Sequence, residues 1–482
     1  MQQSFWQHIV HFYESSIFVY CAAIFFLYAM LACLSFIAIK RYKRRQVLQD
    51  NTTGLVASPL TPGISVIAPA YNEGVTIIYN VRSLLTLNYP RFEVVIVNDG
   101  STDDTLEKLV TEFELKQVEF AYDVRIPSQP VKGFYKSTNP AYAKLLVVDK
   151  VNGKAKADAV NAGINASSFD YFLNTDVDCI LDRDTLLKLI EPFMQEPKRV
   201  IATGAALRMV NSCEVDAGMI VRVRPPDEFL PRFQEIEYIR SFVLGKMGWT
   251  MLNAVPNVSG GLGLFDKDVV INAGGYDPKS FGEDMDMLIR MSKYMCEQKL
   301  PYAIRYVPET LCWTEGPSTL KVYKRQRVRW ARGLMQTFTC HPKVLFNPKY
   351  KKLGWIIFPY NFFFEFLAPI IEFVGILYYI YIVIMGIINW KFALILLVFI
   401  YTFSILITTL AICWDQLTMR YYNSWKEVIG LIFTALLEPF LYHPLVMWFA
   451  ITGYFNQLTN RKHAWGNMQR RGFQNRQANP TK

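Results

Sequence analysis

The chain has 482 residues, of which 52% are hydrophobic, 15% are aromatic and only 19% are charged. This apolar composition excludes disordered and collagen-like chains, and the length allows about two or three structural units. The 51 basic and 41 acidic residues leave a net charge of +10, which suits nucleic acid, anionic lipid or anionic small substrates. The 8 cysteines form no Cys-x-x-Cys pair, which disfavours zinc fingers and fits a reduced compartment.

The first long apolar run, from Ile17 to Ile39, contains no charged residue. At about 1.5 Å per residue it is long enough to cross a hydrocarbon core of about 30 Å. A signal peptide is the alternative, but it would need basic residues before the apolar run. The segment before the run contains Glu14 and has no Lys or Arg. Five basic residues follow between Lys40 and Arg45, which predicts an N-terminus outside the cell and a cytosolic middle of the chain.

A second apolar region extends from Trp355 to Tyr454. Its polar breaks predict an interfacial piece, a span from about Leu367 to Ile388 and a span from Phe392 to Trp414. The tail 461–482 has six basic residues and no acidic one, which predicts a cytosolic C-terminus. Parity then requires two more short helices that bend at 438–444, giving five spans; a re-entrant hairpin is the alternative. Basic residues beside these segments make anionic lipid, rather than nucleic acid, the expected partner of the positive charge.

Between the apolar regions, short β-rich runs alternate with amphipathic ones, which predicts an α/β domain with a mostly parallel, doubly wound sheet. The predicted strands are Ile64–Pro69, Glu93–Asn98, Lys144–Val148, Tyr171–Thr175 and Val200–Leu207. We expect four parts: an N-terminal transmembrane helix with its basic flank (1–45), a cytosolic domain (60–345), C-terminal interfacial and transmembrane helices (346–460) and a basic tail (461–482). The segment Asp123–Ala143 is predicted as a long loop without an assigned role.

Polar residues follow the predicted strands, at the sheet edge where such folds bind ligands. Asp99 follows the second strand, and Asp176 and Asp178 follow the fourth. Paired carboxylates can bind Mg²⁺ or Mn²⁺ beside a diphosphate, although an Asp-Gly-Ser run is also an ordinary turn and a single Asp an ordinary helix cap. The sequence contains no P-loop, no Gly-x-Gly-x-x-Gly after a strand and no His-Glu-x-x-His, which disfavours P-loop nucleotide binding, Rossmann dinucleotide binding and zinc hydrolysis.

Seven short motifs resemble, in their order, those of the membrane-integrated, inverting family 2 glycosyltransferases. This family includes the cellulose, chitin, hyaluronan and poly-β-1,6-N-acetylglucosamine synthases, and the resemblance covers about Ile64 to Phe338. The motifs are Pro69-Ala70-Tyr71-Asn72-Glu73, Val97-Asn98-Asp99-Gly100-Ser101, Lys156-Ala157-Asp158-Ala159-Val160-Asn161-Ala162-Gly163, Asp176-Val177-Asp178, Val258-Ser259-Gly260-Gly261, Gly282-Glu283-Asp284 and Gln326-Arg327-Val328-Arg329-Trp330.

The resemblance implies a GT-A-like fold and assigns roles to individual residues. It implies that Asp284 is the general base and that Asp176 and Asp178 bind Mg²⁺ or Mn²⁺. An inverting displacement needs a base on the acceptor side and a cation beside the departing diphosphate; Asp284 could also cap the helix that follows it. The implied nucleotide-binding residues are Tyr71, Glu73, Asp99, Lys156, Asp158 and Asp176, and the implied acceptor or product residues are Ser259, Gly260, Gly282, Glu283, Gln326, Arg329 and Trp330.

The Gln-x-x-Arg-Trp motif resembles that of processive members of the family. Its indole can support a sugar ring and its Arg can bind a diphosphate, whereas the basic cluster from Lys321 to Arg332 is also typical of an amphipathic interfacial helix. The residues 313–315 are predicted as a mobile loop over the nucleotide. Ionisable residues in the apolar region are candidates for lining a channel: Glu365, Glu372 and Glu438.

We therefore expect a processive, inverting hexosyl- or N-acetylglucosaminyltransferase in the inner membrane. It would transfer sugar from a UDP-sugar donor of the N-acetylglucosamine or glucose type to a growing polysaccharide and help to export it. Accessory membrane or periplasmic subunits are compatible with this architecture. One alternative is a nonprocessive enzyme with a lipid acceptor, which the Gln-x-x-Arg-Trp motif disfavours. A nucleotide-binding transporter or scaffold is the other, and it would need no base at Asp284.

Overall fold

The computed structural model of the chain describes residues 2–48, 51–216 and 218–461. The predicted basic tail, apart from Arg461, lies outside the described residues. A ten-stranded sheet forms the centre of the α/β domain, and a separate two-stranded sheet pairs Glu214–Asp216 with Met219–Arg222. The strands are β1 (Ile64–Ala70), β2 (Phe92–Asn98), β3 (Leu115–Val118), β4 (Val131–Ser137), β5 (Leu145–Lys150), β6 (Tyr171–Thr175), β7 (Ile180–Leu181), β8 (Arg199–Met209), β9 (Glu214–Asp216), β10 (Met219–Arg222), β11 (Leu262–Asp266) and β12 (Tyr302–Thr314).

Helices cover the sheet and continue into the apolar regions at both ends of the described chain. A π-helical segment, Arg240–Lys246, joins α7 to α8, and two more, Leu353–Ile357 and Asn361–Phe366, flank α12. The α-helices are α1 (Gln2–Leu48), α2 (Asn51–Ala57), α3 (Ile77–Leu85), α4 (Thr105–Glu112), α5 (Lys156–Ala166), α6 (Thr185–Gln195), α7 (Phe229–Ile239), α8 (Met247–Met251), α9 (Lys267–Asn272), α10 (Glu283–Glu297), α11 (Leu320–Cys340), α12 (Phe358–Tyr360), α13 (Ala368–Ile384), α14 (Trp390–Met419), α15 (Trp425–Leu441) and α16 (His443–Leu458).

The order of the main sheet is β3-β4-β5-β2-β1-β6-β11-β8-β12-β7. Its four central strands, β5, β2, β1 and β6, are parallel, so their carboxyl ends meet at one edge. These strands are almost continuous apolar runs because helices bury both of their faces. The five predicted strands are confirmed within two residues at each end. Sequence patterns missed β11, which is antiparallel to both β6 and β8.

The segment Asp123–Ala143 is not simply a long loop. It contains β4, which pairs antiparallel with β3 and β5 near the edge of the sheet. The only buried side chain of β4 is Phe134, which packs against the ring of Phe120. One buried residue in seven gives no apolar alternation, and this explains why the sequence pattern did not predict the strand.

Three described helical runs are long and apolar enough to cross a membrane: Glu14–Gln46, Leu353–Ile384 and Ala393–Met419. The interfacial piece and the span predicted around Leu367 join into the second of these runs. The helices α15 and α16 form a pair bent by 48°, which counts as a fourth candidate only if the pair is one span. The described residues therefore contain three or four candidate spans rather than the expected five. With 17 and 16 residues, α15 and α16 are each only about 25 Å long, which is shorter than a hydrocarbon core of about 30 Å.

Helix α16 lies along α11 of the α/β domain rather than apart from it. Near the middle of α16, Phe449 packs against the ring of Tyr323. Near its end, Gln457 accepts a hydrogen bond from Arg332 at 3.0 Å. These two contacts show that the helix that carries the Gln-x-x-Arg-Trp motif is packed against the C-terminal apolar region.

Candidate active site

The carboxyl ends of β1, β2, β5 and β6 bring the predicted nucleotide-binding residues to one edge of the sheet. Tyr71 and Glu73 follow β1, Asp99 follows β2, and Asp176 follows β6. Helix α5 begins after β5 with Lys156, which places Asp158 in its first turn. The predicted grouping of these side chains is therefore present in the structure.

A lysine that the sequence analysis missed holds two of these carboxylates. Lys150 ends β5 and is fully buried. Its Nζ lies 2.5 Å from Asp99 Oδ1 and 2.5 Å from Asp158 Oδ2. The backbone N–H of Gly153 donates to Asp99 at 3.0 Å, and that of Gln129, in the segment predicted as a loop, donates to Asp158 at 3.0 Å. These bonds compensate the burial of two negative charges around a single ammonium.

The turn after β1 is tied to the turn after β2. Asn72 has a φ of 56°, in the left-handed region that Asn tolerates better than most residues. Its backbone N–H donates to Ser101 Oγ at 3.0 Å, and its side-chain oxygen accepts from the Thr102 N–H at 2.8 Å. Tyr71 keeps 41% of its surface exposed, so its ring is accessible beside the strand edge.

Asp176, Asp178 and Cys179 form a cluster whose ligand atoms lie within 4.8 Å of one another. The two carboxylates fit a hard divalent cation such as Mg²⁺ or Mn²⁺. A hydrogen bond with the Cys312 thiol, together with burial, raises the pKa of Cys179 well above its ordinary value. The two carboxylates, Asp176 and Asp178, therefore supply the hard oxygen ligands of the cluster.

Lys156 connects this cluster to the loop after α8. Its Nζ lies 2.5 Å from Asp176 Oδ1 and donates to the Gly260 carbonyl at 2.7 Å. Burial alone would lower the pKa of Lys156, but the carboxylates of Asp176 and Glu283 raise it above its ordinary value. The ammonium therefore stays charged beside the carboxylate cluster.

Gly260 also contacts the predicted base. Its backbone N–H donates to Asp284 Oδ2 at 3.0 Å, and its carbonyl accepts from the Asn174 side chain at 3.2 Å. The preceding Ser259 accepts a long hydrogen bond from the Gly261 N–H at 3.4 Å. The backbone of one residue, Gly260, thus joins the side of the site that contains Lys156 to the side that contains Asp284.

Helix α10 begins directly after Gly282 and has Asp284 in its first turn. Gly333 of α11 lies against this helix start: a Cβ on Gly333 would be 2.6 Å from the Gly282 backbone nitrogen. Burial raises the pKa of the neighbouring Glu283, against the opposing effect of Lys156 and Arg329. Arg329 itself donates to the Phe281 carbonyl at 3.3 Å. The start of α10 and the middle of α11 are therefore in close contact.

Two further residues of the Gln-x-x-Arg-Trp motif, Gln326 and Trp330, have side-chain partners on α7 and on α11 itself. Gln326 accepts a hydrogen bond from Gln234 of α7 at 3.1 Å. Trp330 packs its ring against the guanidinium of Arg327, with 4.6 Å between the guanidinium carbon and the ring centroid. The prediction of a mobile loop at 313–315 is wrong for its first two residues, because Trp313 and Thr314 pair with β8 as the end of β12. This strand was missed because bulges interrupt its register.

The three glutamates predicted as channel-lining candidates have partners within the protein. Glu438 is 3% exposed and pairs with Arg240 at 2.8 Å. Glu372 lies 3.0 Å from the His443 ring. The third, Glu365, accepts from the Tyr360 hydroxyl at 2.5 Å.

Two family models match the chain. The model described as glycosyl transferase family 2 matches residues 65–212, and the model described as glycosyl transferase family group 2 matches residues 172–414, half of the chain. The chain belongs to the family 2 glycosyltransferases. The family resemblance and the glycosyltransferase class predicted from the motifs are thereby confirmed, as is the GT-A-like fold.

Relatives of this family 2 glycosyltransferase include two staphylococcal enzymes. The poly-β-1,6-N-acetyl-D-glucosamine synthase of Staphylococcus epidermidis is 30% identical over 271 residues, which cover 56% of this chain and 54% of the relative. The synthase of the same name from Staphylococcus aureus strain COL has the same identity and coverage. The chain thus spans about half the length of the curated relatives it matches.

Solved structures of glycosyltransferases are also similar to this family member. A mannosyltransferase from Pyrobaculum calidifontis, in complex with GDP-Man and Mn²⁺, has a TM-score of 0.48 and 19% identity over 90% of this chain and all of its own. A glucosyl-3-phosphoglycerate synthase from Mycobacterium tuberculosis, in complex with Mn²⁺, UDP and phosphoglyceric acid, has a TM-score of 0.35 and 16% identity over 59% of this chain and 82% of its own.

Proposed function

We propose that this family 2 glycosyltransferase transfers a sugar of the N-acetylglucosamine or glucose type from UDP to a growing polysaccharide, with inversion at the anomeric carbon. The observation that carries the proposal is the position of Gly260. Its carbonyl accepts from Lys156, which pairs with Asp176, and its N–H donates to Asp284. A diphosphate beside Lys156 and an acceptor hydroxyl beside Asp284 would therefore be held by one short backbone segment.

The donor occupies the edge formed by β1, β2, β5 and β6. The exposed ring of Tyr71 supplies an apolar face for the base, and the carboxylates accept hydrogen bonds from the uracil N–H and the ribose hydroxyls. Lys156 is a charged donor for the diphosphate. The residues assigned to the donor are Tyr71, Glu73, Asp99, Lys156, Asp158 and Asp176.

Asp176 and Asp178 hold a divalent cation, Mg²⁺ or Mn²⁺, because their oxygens converge and hard cations prefer such ligands. When bound, this cation neutralises charge on the departing diphosphate. Lys156 contributes a second positive charge at the same place, since it lies 2.5 Å from Asp176. The leaving group thus departs toward positive charge.

Asp284 acts as the general base. The acceptor oxygen forms a bond to the anomeric carbon while the bond from that carbon to the diphosphate oxygen breaks, and the acceptor proton passes to Asp284. Its place in the first turn of α10 and its bond from the Gly260 N–H fix the orientation of the Asp284 side chain. After the transfer, UDP lies on the Lys156 side of Gly260 and the lengthened polysaccharide lies on the Asp284 side.

The acceptor side is formed by Ser259, Gly260, Gly282 and Glu283, together with Gln326, Arg329 and Trp330 of α11. Trp330 offers an indole face for a sugar ring. The contact of α11 with α16 places this face next to the apolar helices, which would carry the product outward from a catalytic domain in the cytosol. The names of the staphylococcal relatives support a polymer of N-acetylglucosamine.

The experiment is incubation of the purified protein in lipid with labelled UDP-N-acetylglucosamine, UDP-glucose and GDP-mannose. Each donor is supplied with Mg²⁺, with Mn²⁺ and with excess chelator, and the products are sized. We expect a long, water-soluble polymer from one UDP-sugar and loss of synthesis with chelator. A lipid-soluble monosaccharide product would contradict the polysaccharide acceptor, polymer from GDP-mannose alone would contradict the UDP donor, and no release of UDP or GDP from any donor would contradict the enzyme.

A further inference from the structure

Helix α7 contacts the Gln-x-x-Arg-Trp helix through two adjacent pairs of side chains. Gln234 donates to Gln326 at 3.1 Å. Glu237, one turn later on α7, accepts two hydrogen bonds from Arg327, at 2.7 and 2.6 Å. Since 326 and 327 are consecutive on α11, the two pairs fix both the rotation and the height of α11 relative to α7.

The Glu237–Arg327 pair joins a buried guanidinium to a partly buried carboxylate and is closed by a third side chain. Arg327 is only 6% exposed, and its Nη2 donates to the Tyr442 hydroxyl at 2.9 Å. That hydroxyl donates in turn to Glu237 at 2.6 Å. Burial would raise the pKa of Glu237, but the guanidinium lowers it below its usual range. The three groups form a charged ring, which we call the Arg327 ring (Glu237, Arg327 and Tyr442).

The Arg327 ring contacts Trp330 through the guanidinium of Arg327. The central carbon of this guanidinium lies 4.9 Å from the centroid of the Tyr323 side chain, one helical turn before Arg327. It lies 4.6 Å from the centroid of the Trp330 indole, one turn after Arg327. A cation–π contact of this kind constrains the indole when the cation is itself fixed. The two bonds to Glu237 and the one to Tyr442 fix it here.

Tyr442 also brings the C-terminal helices into this arrangement. It lies at the bend between α15 and α16 and stacks on Phe233 of α7, with 5.1 Å between ring centroids. The position of the Trp330 indole therefore depends on a residue 112 positions later in the chain. Arg329, next to Trp330, donates to the Phe281 carbonyl just before α10, so the same helix also faces the site of Asp284.

We propose that the Arg327 ring positions the Trp330 indole for the acceptor sugar, so that Glu237, Arg327 and Tyr442 determine acceptor binding without touching donor or acceptor. They are positioning residues, and this role rests on the proposed function, in which Trp330 supports the acceptor. The described hydrogen bonds and ring contacts of Arg327 are to Glu237, Tyr442, Tyr323 and Trp330, and not to the donor residues at the ends of β1, β2 and β5. Loss of the Arg327 ring should therefore weaken acceptor binding and leave donor binding unchanged.

The test uses full-length protein in lipid, labelled with 5-fluorotryptophan, and the substitution Glu237→Gln, which keeps the shape of the side chain and removes its charge. Trp330→Phe assigns the Trp330 fluorine resonance. We expect Glu237→Gln and the milder Tyr442→Phe to shift or broaden this resonance. The controls Glu112→Gln, in a surface pair with Arg82, and Tyr79→Phe, on an exposed ring, should not. An unchanged resonance in both ring variants would overturn the proposal.

Kinetics give the second measurement. With a β-1,6-linked N-acetylglucosamine oligosaccharide as acceptor, we expect the acceptor KM to rise about tenfold in Glu237→Gln while the donor KM stays within about twofold. Equal changes in both KM values, or a fall in kcat alone, would show a general structural defect and overturn the positioning role. If Glu237→Gln does not fold, Tyr442→Phe decides. A wild-type protein that transfers no sugar would overturn the proposed function, and with it the acceptor as the purpose of this arrangement. The resonance comparison needs no turnover, so it separately shows whether the Arg327 ring positions the Trp330 indole.

Discussion

The two sides of the site are built differently. On the proposed donor side, the residues follow four neighbouring strands, and the parallel register of β5, β2, β1 and β6 is sufficient to bring the side chains together. On the acceptor side, helices α10 and α11 are held by contacts that reach far along the chain, such as Arg327 with Tyr442 and Arg332 with Gln457. Under the proposed function, the sheet therefore fixes donor binding, whereas acceptor binding depends on how the C-terminal helices pack.

A second buried cluster ties the sheet itself to the apolar helices. Arg208, at the end of β8, donates to Glu235 of α7 and to Tyr422, each at 2.8 Å, and pairs with Asp415 of α14. Both Arg208 and Asp415 are almost fully buried. Removal of one partner from such a network leaves an uncompensated buried charge, so the end of α14 is held firmly against the domain.

The largest effect is expected on the donor side, from Lys150→Met. Without the ammonium, the carboxylates of Asp99 and Asp158 would be buried against each other, which costs about 3–5 kcal/mol of unfolding free energy. UDP binding by calorimetry should be lost together with stability. The control is Lys132→Met, a half-exposed lysine 4.0 Å from Asp149. A Lys150→Met protein with wild-type stability and UDP affinity would show that the sheet edge does not depend on this lysine.

A smaller effect, confined to the acceptor side, is expected from Gly333→Ala. The added Cβ would lie 2.6 Å from the Gly282 nitrogen, and backbone cannot move aside as a flexible side chain can, so α11 must shift away from α10. Overpacking of this kind costs about 1–3 kcal/mol. Transfer should fall at least about tenfold while UDP affinity is kept. Gly54→Ala, with open space around the added Cβ, is the matched control; equal losses of UDP binding and transfer would contradict the separation of the two sides.

The smallest effect is expected from Asp286→Asn, in the helix that carries Asp284. Burial would raise the pKa of Asp286, but the hydrogen bond from His341 and the charge of Arg290 hold it below its usual range. A carboxyl with a lowered pKa in the folded state stabilises the protein above its unfolded pKa, and this stabilisation is lost as pH falls through the folded pKa.

Asp286→Asn should therefore lower the unfolding free energy by about 1 kcal/mol near pH 7, since the amide still accepts one hydrogen bond, and by less near pH 4. Thermal unfolding at both pH values measures the difference. Asp123→Asn changes an exposed carboxylate and serves as the control. A larger loss at pH 4 than at pH 7 would reverse the expected sign.

The sequence predicted the donor side better than the acceptor side for a physical reason. Central parallel strands are continuous apolar runs, so Tyr171–Thr175 was predicted with its observed bounds, and the strand-end carboxylates followed from them. Lys150 was missed because a lysine after an apolar run is typical of a strand that ends in solvent. Its burial becomes evident only when Asp99 and Asp158 are placed beside it.

On the acceptor side, the motif residues were recognised but not their neighbours. Arg327 occupies a variable position of Gln-x-x-Arg-Trp, and its partner Glu237 lies 90 residues earlier in the chain. The contact of Gly333 with Gly282 is likewise a meeting of two helices that sequence periodicity does not record. The bend between α15 and α16 was predicted from its prolines, whereas the packing of α16 along α11 was not.

The most direct test of the proposed chemistry is Asp284→Asn, assayed for UDP binding and for incorporation of labelled sugar into polymer in the same preparation. Since Asp284 reaches the donor side through the N–H of Gly260, whose bond an Asn side-chain oxygen can still accept, UDP affinity should stay within about threefold of wild type. Incorporation should fall by about 10²–10⁴-fold, the usual contribution of a general base. Incorporation within about tenfold of wild type, with UDP still bound, would contradict the assignment of Asp284 as the base.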